Sequence, residues 1–339
     1  MRRPNNLFML VIAAAMLFAG HVTAFGQIYL LNGGAGVVGE YNFDGTPINT
    51  SLITGAGGSG DMVVSGSAIY VVNESGNSVG EFNLNTGAAI NANLITYPTG
   101  TSPSGIAISG SHLFITTSGP QGPTDPGAVG TVGEFNLDGS VVNANLITGL
   151  DRPTSILISG AQMFVVNKAE NSTVVAGSVG EYNLAGTAVN ASLISGLNAP
   201  SGIVLSGQNL FISSGQPSDD NGLGSNPNNS VGEYNAITGA TVNDALITGL
   251  SDPLRLALLG DDLLVMNIGN STSGPFIGQV GEYGLDGSTV NADLISDPGA
   301  GNILVVGSVP EPSDYAALAA LAALGIATLQ RRHTKKRLR

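Results

Sequence analysis

Val38-Gly39-Glu40-Tyr41-Asn42 is a five-residue stretch that this chain keeps repeating. It returns as VGEFN at Val79–Asn83 and Val132–Asn136, as VGEYN at Val179–Asn183 and Val231–Asn235, and as VGEYG at Val280–Gly284. The spacing averages roughly 48 residues, a period that signals stacked supersecondary units rather than one irregular core.

Working outward from the tag, each full unit contains four short pieces. The first is Pro-Ser-Gly-Ile-x-x-Ser-Gly, as at Pro103–Gly110 and Pro200–Gly207. The second is a β-prone stretch such as Met163–Asn167 or Leu210–Ser214. The tag is the third, and Asn-x-x-Leu-Ile is the fourth, starting at Asn49, Asn91, Asn143, Asn190, Asn243 and Asn291. All are strand-length and rich in Val, Ile, Leu and aromatic residues. Ser-Gly turns join pieces one and two. Asp-Gly turns (Asp44-Gly45, Asp138-Gly139, Asp286-Gly287) join pieces three and four, and Asp-Gly between apolar runs is a strong hairpin signal because Gly tolerates positive φ. Four antiparallel strands per unit form a meander, the blade of a β-propeller.

The repeat is permuted at its ends. The chain enters at Gln27–Asn32 with a piece two, and the missing piece one stands at Gly301–Val306. The expected fold is therefore an all-β, six-bladed β-propeller whose first blade is completed by a C-terminal strand, which removes an open edge. A β-solenoid is the rival, but solenoid coils need neither Asp-Gly hairpins nor a strand donated from the far end. The strand pattern over Gln27–Val306 resembles the six-bladed propellers of the NHL and YVTN type. Blade six departs most, with Leu254-Arg255-Leu256 where other units carry Ser-Gly-Ile.

Charge separates the ends from the middle. Eight of 11 basic residues lie at the ends, and only Arg152, Lys168 and Arg255 stand between. The middle holds 22 of the 24 acids, a net charge of −19. Such a surface repels phosphate backbones and excludes nucleic acid as an expected partner. Without cysteine there is no disulfide, thiol nucleophile or thiolate metal site.

Arg2 and Arg3, the apolar run Leu7–Ala19 and Val22-Thr23-Ala24 read as a secretory signal peptide over 1–24. The expected propeller spans 25–308. The segment 309–339 opens on Pro310-Glu311-Pro312, continues in the apolar run Tyr315–Leu329 and ends in a basic cluster beginning at Arg331-Arg332. Fifteen helical residues reach ~22 Å, short of the ~30 Å hydrocarbon core, with the basic end held on the cytoplasmic side. This order resembles the PEP-CTERM sorting signal of Gram-negative bacteria, with His333 and Thr334 interrupting the bases. The resemblance implies export across the inner membrane, transient anchoring by a short transmembrane helix, and processing by an exosortase-type enzyme. It further implies delivery to the cell surface or an extracellular, biofilm-type matrix rich in exopolysaccharide. A plain tail anchor is the alternative reading.

The repeated glutamates are tempting as catalysts, but six equivalent positions on separate blades do not converge on one substrate. A structural role, a carboxylate hydrogen-bonded to the adjacent blade, is the expectation. His112 is the one histidine of the mature domain and reads as a solvated turn residue, so histidine-based nucleophilic or metal chemistry has little to work with. The loops between pieces two and three vary widely, with long ones at Thr117–Thr131 and Ser213–Ser230. On a regular scaffold such loops carry binding. Arg152, Lys168 and Arg255 map to the same face, as a pocket for an acidic or sugar ligand or as scattered solubilising charges. Asp151, Asp219, Asp220 and Asp252 share that face and are the oxygen ligands Ca²⁺ would take, although no contiguous calcium-loop spacing is present. The leading expectation is a non-catalytic surface or matrix binding module for exopolysaccharide or surface glycan, without cofactor. The alternatives are a propeller enzyme of calcium-dependent lactonase or lyase type, with acids and Asn or His converging near the axis, and a purely structural role.

Overall fold

The structure is a computed structural model, and it describes residues 26–58, 60–119, 129–169, 176–215, 229–268, 277–298 and 300–307. The signal-peptide segment, the sorting segment with Pro310, Glu311 and Pro312, and Asp219 and Asp220 lie outside the described residues. Gln27–Val306 is one compact unit.

In chain order, β1 (Gln27–Asn32), β2 (Val37–Tyr41) and β3 (Pro47–Thr54) begin the first blade. Blade two is β4 (Met62–Ser65), β5 (Ala68–Asn73), β6 (Ser78–Asn83) and β7 (Ala89–Thr96). Blade three is β8 (Ser102–Ser109), β9 (His112–Ser118), β10 (Val129–Asn136) and β11 (Val141–Asp151). Blade four is β12 (Pro153–Ser159), β13 (Gln162–Asn167), β14 (Gly177–Asn183) and β15 (Ala188–Leu197). Blade five is β16 (Pro200–Ser206), β17 (Asn209–Ser214), β18 (Ser230–Asn235) and β19 (Thr241–Thr248). Blade six is β20 (Pro253–Leu259), β21 (Asp262–Asn267), β22 (Ile277–Gly284) and β23 (Thr289–Pro298). The last strand, β24 (Ala300–Val306), returns to the first blade, whose order is β24-β1-β2-β3. Tyr29 pairs with Leu304 and Leu30 with Ile303, so the ring closes through strands from opposite ends of the domain. The innermost strands β4, β8, β12, β16, β20 and β24 neighbour one another in ring order. This is a six-bladed β-propeller.

There is no single core. Strand side chains alternate between faces, and both faces of a blade pack on neighbours, so the second strands read as continuous apolar runs. Ile28 and Leu30 join Leu264 and Met266 of blade six, while Tyr29 and Leu31 join Ile69 and Val71 of blade two. Equivalent clusters fill the remaining four blade interfaces. Full burial of each such aliphatic side chain contributes about 1.5–3 kcal/mol, which spreads stability around the ring.

The tag owes its sequence to a bulge. Val38 pairs with Ile53, yet Glu40 pairs with Asn49, so one tag residue between pairs faces three on the outer strand. The same shift recurs at the tags of the other five blades. The motif Asn closes the bulge as an Asx turn, as where Asn49 Oδ1 accepts from Ser51 N at 3.1 Å and Asn190 Oδ1 from Ser192 N at 3.2 Å. Opposite the bulge the tag aromatic folds back over the tag glycine. A β-carbon on Gly180 would lie 2.7 Å from Tyr182 Cε2 and 3.0 Å from the Ala191 carbonyl oxygen, and the other five tag glycines are as confined.

The hairpin glycines knit neighbouring blades. Gly45 has φ +80° and abuts the Leu294 carbonyl of blade six, and Gly139 abuts the Leu94 carbonyl of blade two. Gly87, Gly186, Gly239 and Gly287 repeat this contact on the outer strand of the preceding blade.

Candidate functional site

The tag carboxylates are held differently from expectation. The partners of Glu40, Glu134, Glu181 and Glu233 lie on the second strand of their own blade, not on the adjacent one. Gln162 Nε2 donates to Glu181 at 2.7 Å and Asn209 Nδ2 to Glu233 at 2.6 Å. Tyr29 Oη donates to Glu40 at 3.5 Å. The reason is register: the start of the second strand lies diagonally across from the tag glutamate, within reach of a short polar side chain. His112 occupies that position in blade three. It is the first residue of β9, not a solvated turn residue, and its Nδ1 is 2.5 Å from Glu134 Oε1. Of the six glutamates Glu181 alone is fully buried.

The opposite ends of the strands carry the charge cluster. Arg152 stands in the loop entering β12 with φ +48°, and Asp252 occupies the equivalent place before β20 with φ +52°. A non-glycine residue rarely adopts this conformation. A backbone bond from the residue after the second strand holds each loop: Lys168 N donates to Arg152 O at 3.1 Å, and Ile268 N to Asp252 O at 3.3 Å. That bond sets Lys168 beside Arg152. Burial pushes the Lys168 ammonium below its ordinary value, and the positive charges of Arg152 and Arg255 push it further, against the pull of Asp252 and Glu74. Burial also lowers Arg152, opposed by Asp151 and Glu74, and raises Asp252, opposed by Lys168. Lys168 is thus brought into electrostatic range of Arg152 and Arg255, together with Glu74, which the sequence does not single out.

Arg255 belongs to a second constellation. One repeat position lies just before the apolar residue that pairs opposite the second strand, and around the ring it is occupied by Asn302, Asp61, Gly105, Ser155, Gly202 and Arg255. Glycine suits two of these places because neighbouring inner strands approach closely: a β-carbon on Gly105 would lie 2.8 Å from Ser155 Cα, and one on Gly202 3.0 Å from Arg255 Cα. Three consecutive blades carry polar side chains instead. Arg255 Nη1 donates to the Ser201 carbonyl of blade five at 3.0 Å. Its charge also reaches Asp61 of blade two. Asp61 is half-buried. Its carboxylate accepts from Met62 N at 2.8 Å and Asn302 Nδ2 at 3.0 Å, and from the Ile106 backbone. Burial nevertheless raises Asp61 above the usual carboxylate range, with Arg255 opposing.

These residues and the aliphatic inner strands line an axial well of about 320 Å³ that includes Ser155, Ile203, Leu256 and Ile303. Two buried atoms in its lining lack a hydrogen-bond partner among the described residues, Arg255 Nε and Asn302 Oδ1. Among the described residues no group of three or more His, Asp or Glu side chains is placed to hold a metal ion. Sequence reading singled out Arg255 as a departure from Ser-Gly-Ile but missed Asp61 and Asn302. The signal was present: aligning Gly60-Asp61-Met62 and Gly301-Asn302-Ile303 with Ser-Gly-Ile puts all three at one repeat position.

No protein-family model and no curated protein matches the chain. Solved structures do. A chain of the nidogen–laminin complex superposes with a TM-score of 0.61 at 15% identity, covering 84% of this chain and 99% of that one. The gluconolactonase XC5397 of Xanthomonas campestris gives 0.50 at 13% identity, covering 71% and 79%. Hydrazine synthase of Kuenenia stuttgartiensis gives 0.53 at 14% identity, covering 84% and 92%. At these identities the likeness is one of fold, and it spans both a binding assembly and enzymes.

Proposed function

We propose that this chain is an exported, non-catalytic β-propeller that serves as a binding module at the cell surface or in the extracellular matrix. It is sorted by an exosortase-type system and binds an acidic exopolysaccharide or surface glycan. The observation that carries this reading is Lys168 held beside Arg152 on the loop face and within charge range of Arg255, in a domain whose net charge is −19. A lysine whose charged form is disfavoured by burial and by neighbouring cations gains from an anionic group placed against it. The single histidine of the domain is tied to Glu134 at the other end of its strand, away from that face. The Pro310-Glu311-Pro312 segment and its basic tail support the export and sorting part of the reading.

The test is a glycan array probed with the purified protein, with and without calcium, at low and high salt. Acidic polysaccharide should bind in a salt-sensitive way, and Arg152→Ser with Lys168→Ser should remove the binding. Binding that both substitutions leave intact would refute it.

The second reading, a lactonase or lyase, is favoured by Asp61, a half-buried carboxylate in the lining of the axial well whose pKa is raised by desolvation. Calcium fits that well poorly, because Asp61 is the single carboxylate in its lining and the Arg255 charge lies beside it. Turnover of a lactone by the wild type and not by Asp61→Asn would establish this reading instead.

A further inference from the structure

We propose that the axial well is a binding site for a small neutral hydroxylated molecule, a monosaccharide or polyol, recognised by Arg255 Nε and Asn302 Oδ1. The well shares Arg255 with the charge cluster around Lys168 but not Arg152 or Lys168, and the inference does not depend on the acidic-glycan reading above, whose test removes those two residues alone.

The first argument is satisfaction of buried polar groups. Arg255 is 9% exposed and Asn302 1% exposed, and both line the well. Arg255 Nη1 is on Ser201 O and Asn302 Nδ2 on Asp61. What is left is one N–H donor on blade six and one carbonyl acceptor on blade one, the next blade round. An unmet buried donor or acceptor costs about 1–3 kcal/mol, so a molecule that meets both is favoured. A hydroxyl group both accepts and donates, and adjacent hydroxyls on one carbon frame meet the two atoms together.

The second argument is charge. Asp61 and Arg255 bring opposite charges to the same lining, and Arg255 opposes the rise of Asp61. An anion would compete with Asp61 for the guanidinium, and a cation would compete with Arg255 for the carboxylate. A neutral ligand disturbs neither.

The third argument is shape. The volume of about 320 Å³ falls at the small end of ligand-site sizes. Ile156, Ile203, Leu256 and Ile303 offer the C–H surface against which the apolar side of a sugar ring packs. Gly202 and Ser155 are small residues of the same lining.

The experiment is titration of the purified full-length chain, in detergent, with D-glucose, D-galactose, myo-inositol and glycerol. D-glucuronate and D-glucosamine are the charged comparisons, and calorimetry and saturation-transfer NMR are the readouts. We expect saturable binding of at least one neutral probe, magnetisation transfer from protein methyl groups to its C–H protons, and weaker binding of its charged counterpart. Ser155→Leu fills the well from the blade opposite Asn302 and touches none of the three polar side chains. It should weaken binding about tenfold or more while thermal unfolding shows the fold retained. If that variant fails to fold, the wild-type titration still decides. Absence of saturable binding by every neutral probe overturns the proposal, because the two polar atoms are then met by water. So does preference for a charged probe, or affinity unchanged in a folded Ser155→Leu.

Discussion

Asn302 Nδ2 donates to Asp61 Oδ1 at 3.0 Å, joining residues 241 apart in the chain. Asn302 lies on the closing strand β24 and Asp61 immediately before β4 in blade two, so the bond ties the last strand to the blade beyond the one it completes. The carboxylate also accepts from the Ile106 backbone in blade three. One half-buried side chain thereby holds three successive blades, and Asn302→Ala takes away one of its donors. We expect a loss of about 1–3 kcal/mol, the cost of leaving a buried polar group unmet. Urea unfolding checks it, and an unchanged midpoint would show that the bond does not contribute to closure.

The tag glycine tests the packing account. In Gly180→Ala the new β-carbon meets both the Tyr182 ring and the Ala191 carbonyl. Overpacking of this kind costs about 1–3 kcal/mol. Tyr182→Leu in the same chain should recover part of that loss, since the backbone contact remains, and a double-mutant cycle should return a clear coupling. Strict additivity would mean that the aromatic ring does not define the glycine.

The loop-face charges make opposite contributions to stability against pH. Lys168 is held below its ordinary 10.5. Between the lowered value and 10.5 the unfolded chain binds the proton better, so stability rises with pH across that window. Lys168→Met should be more stable than the wild type at neutral pH, with the gap closing as pH climbs. Asp252 is held above its ordinary 3.8. There the folded chain binds the proton better, so stability falls as pH rises from 3.8 through the raised value. Going down in pH through that window, the wild type should gain on Asp252→Asn. Paired unfolding curves across pH check both signs, and parallel curves for wild type and variants would contradict them.

The ring was readable because its signals repeat. Asp-Gly turns, the apolar run Tyr29–Leu31 and the displaced Gly301–Val306 piece each reflect local backbone preference or burial on two faces, and a sequence states both directly. The Asx bulge at Asn49 and its equivalents was recorded as a motif without its cause, because a two-residue period does not register residues that leave the ladder. Glu181 was given a partner on the wrong blade, since reach to Gln162 depends on strand register rather than spacing. Arg255 stands out as bulk where Gly105 and Gly202 have none. Asp61 and Asn302 do not, because each is one ordinary polar residue until the ring sets it beside the other two.

Closure by β24 underlies the face assignment, the axial well and the charge cluster alike. Gln27 and Val306 are register partners at the ends of β1 and β24, and the chain has no cysteine of its own. Gln27→Cys with Val306→Cys therefore gives an unambiguous cross-link on mild oxidation of the native protein. A closed ring predicts near-complete intramolecular disulfide and a gain of up to about 5 kcal/mol against unfolding, as befits so long a loop. Two thiols that stay free while the rest of the protein is folded would contradict it.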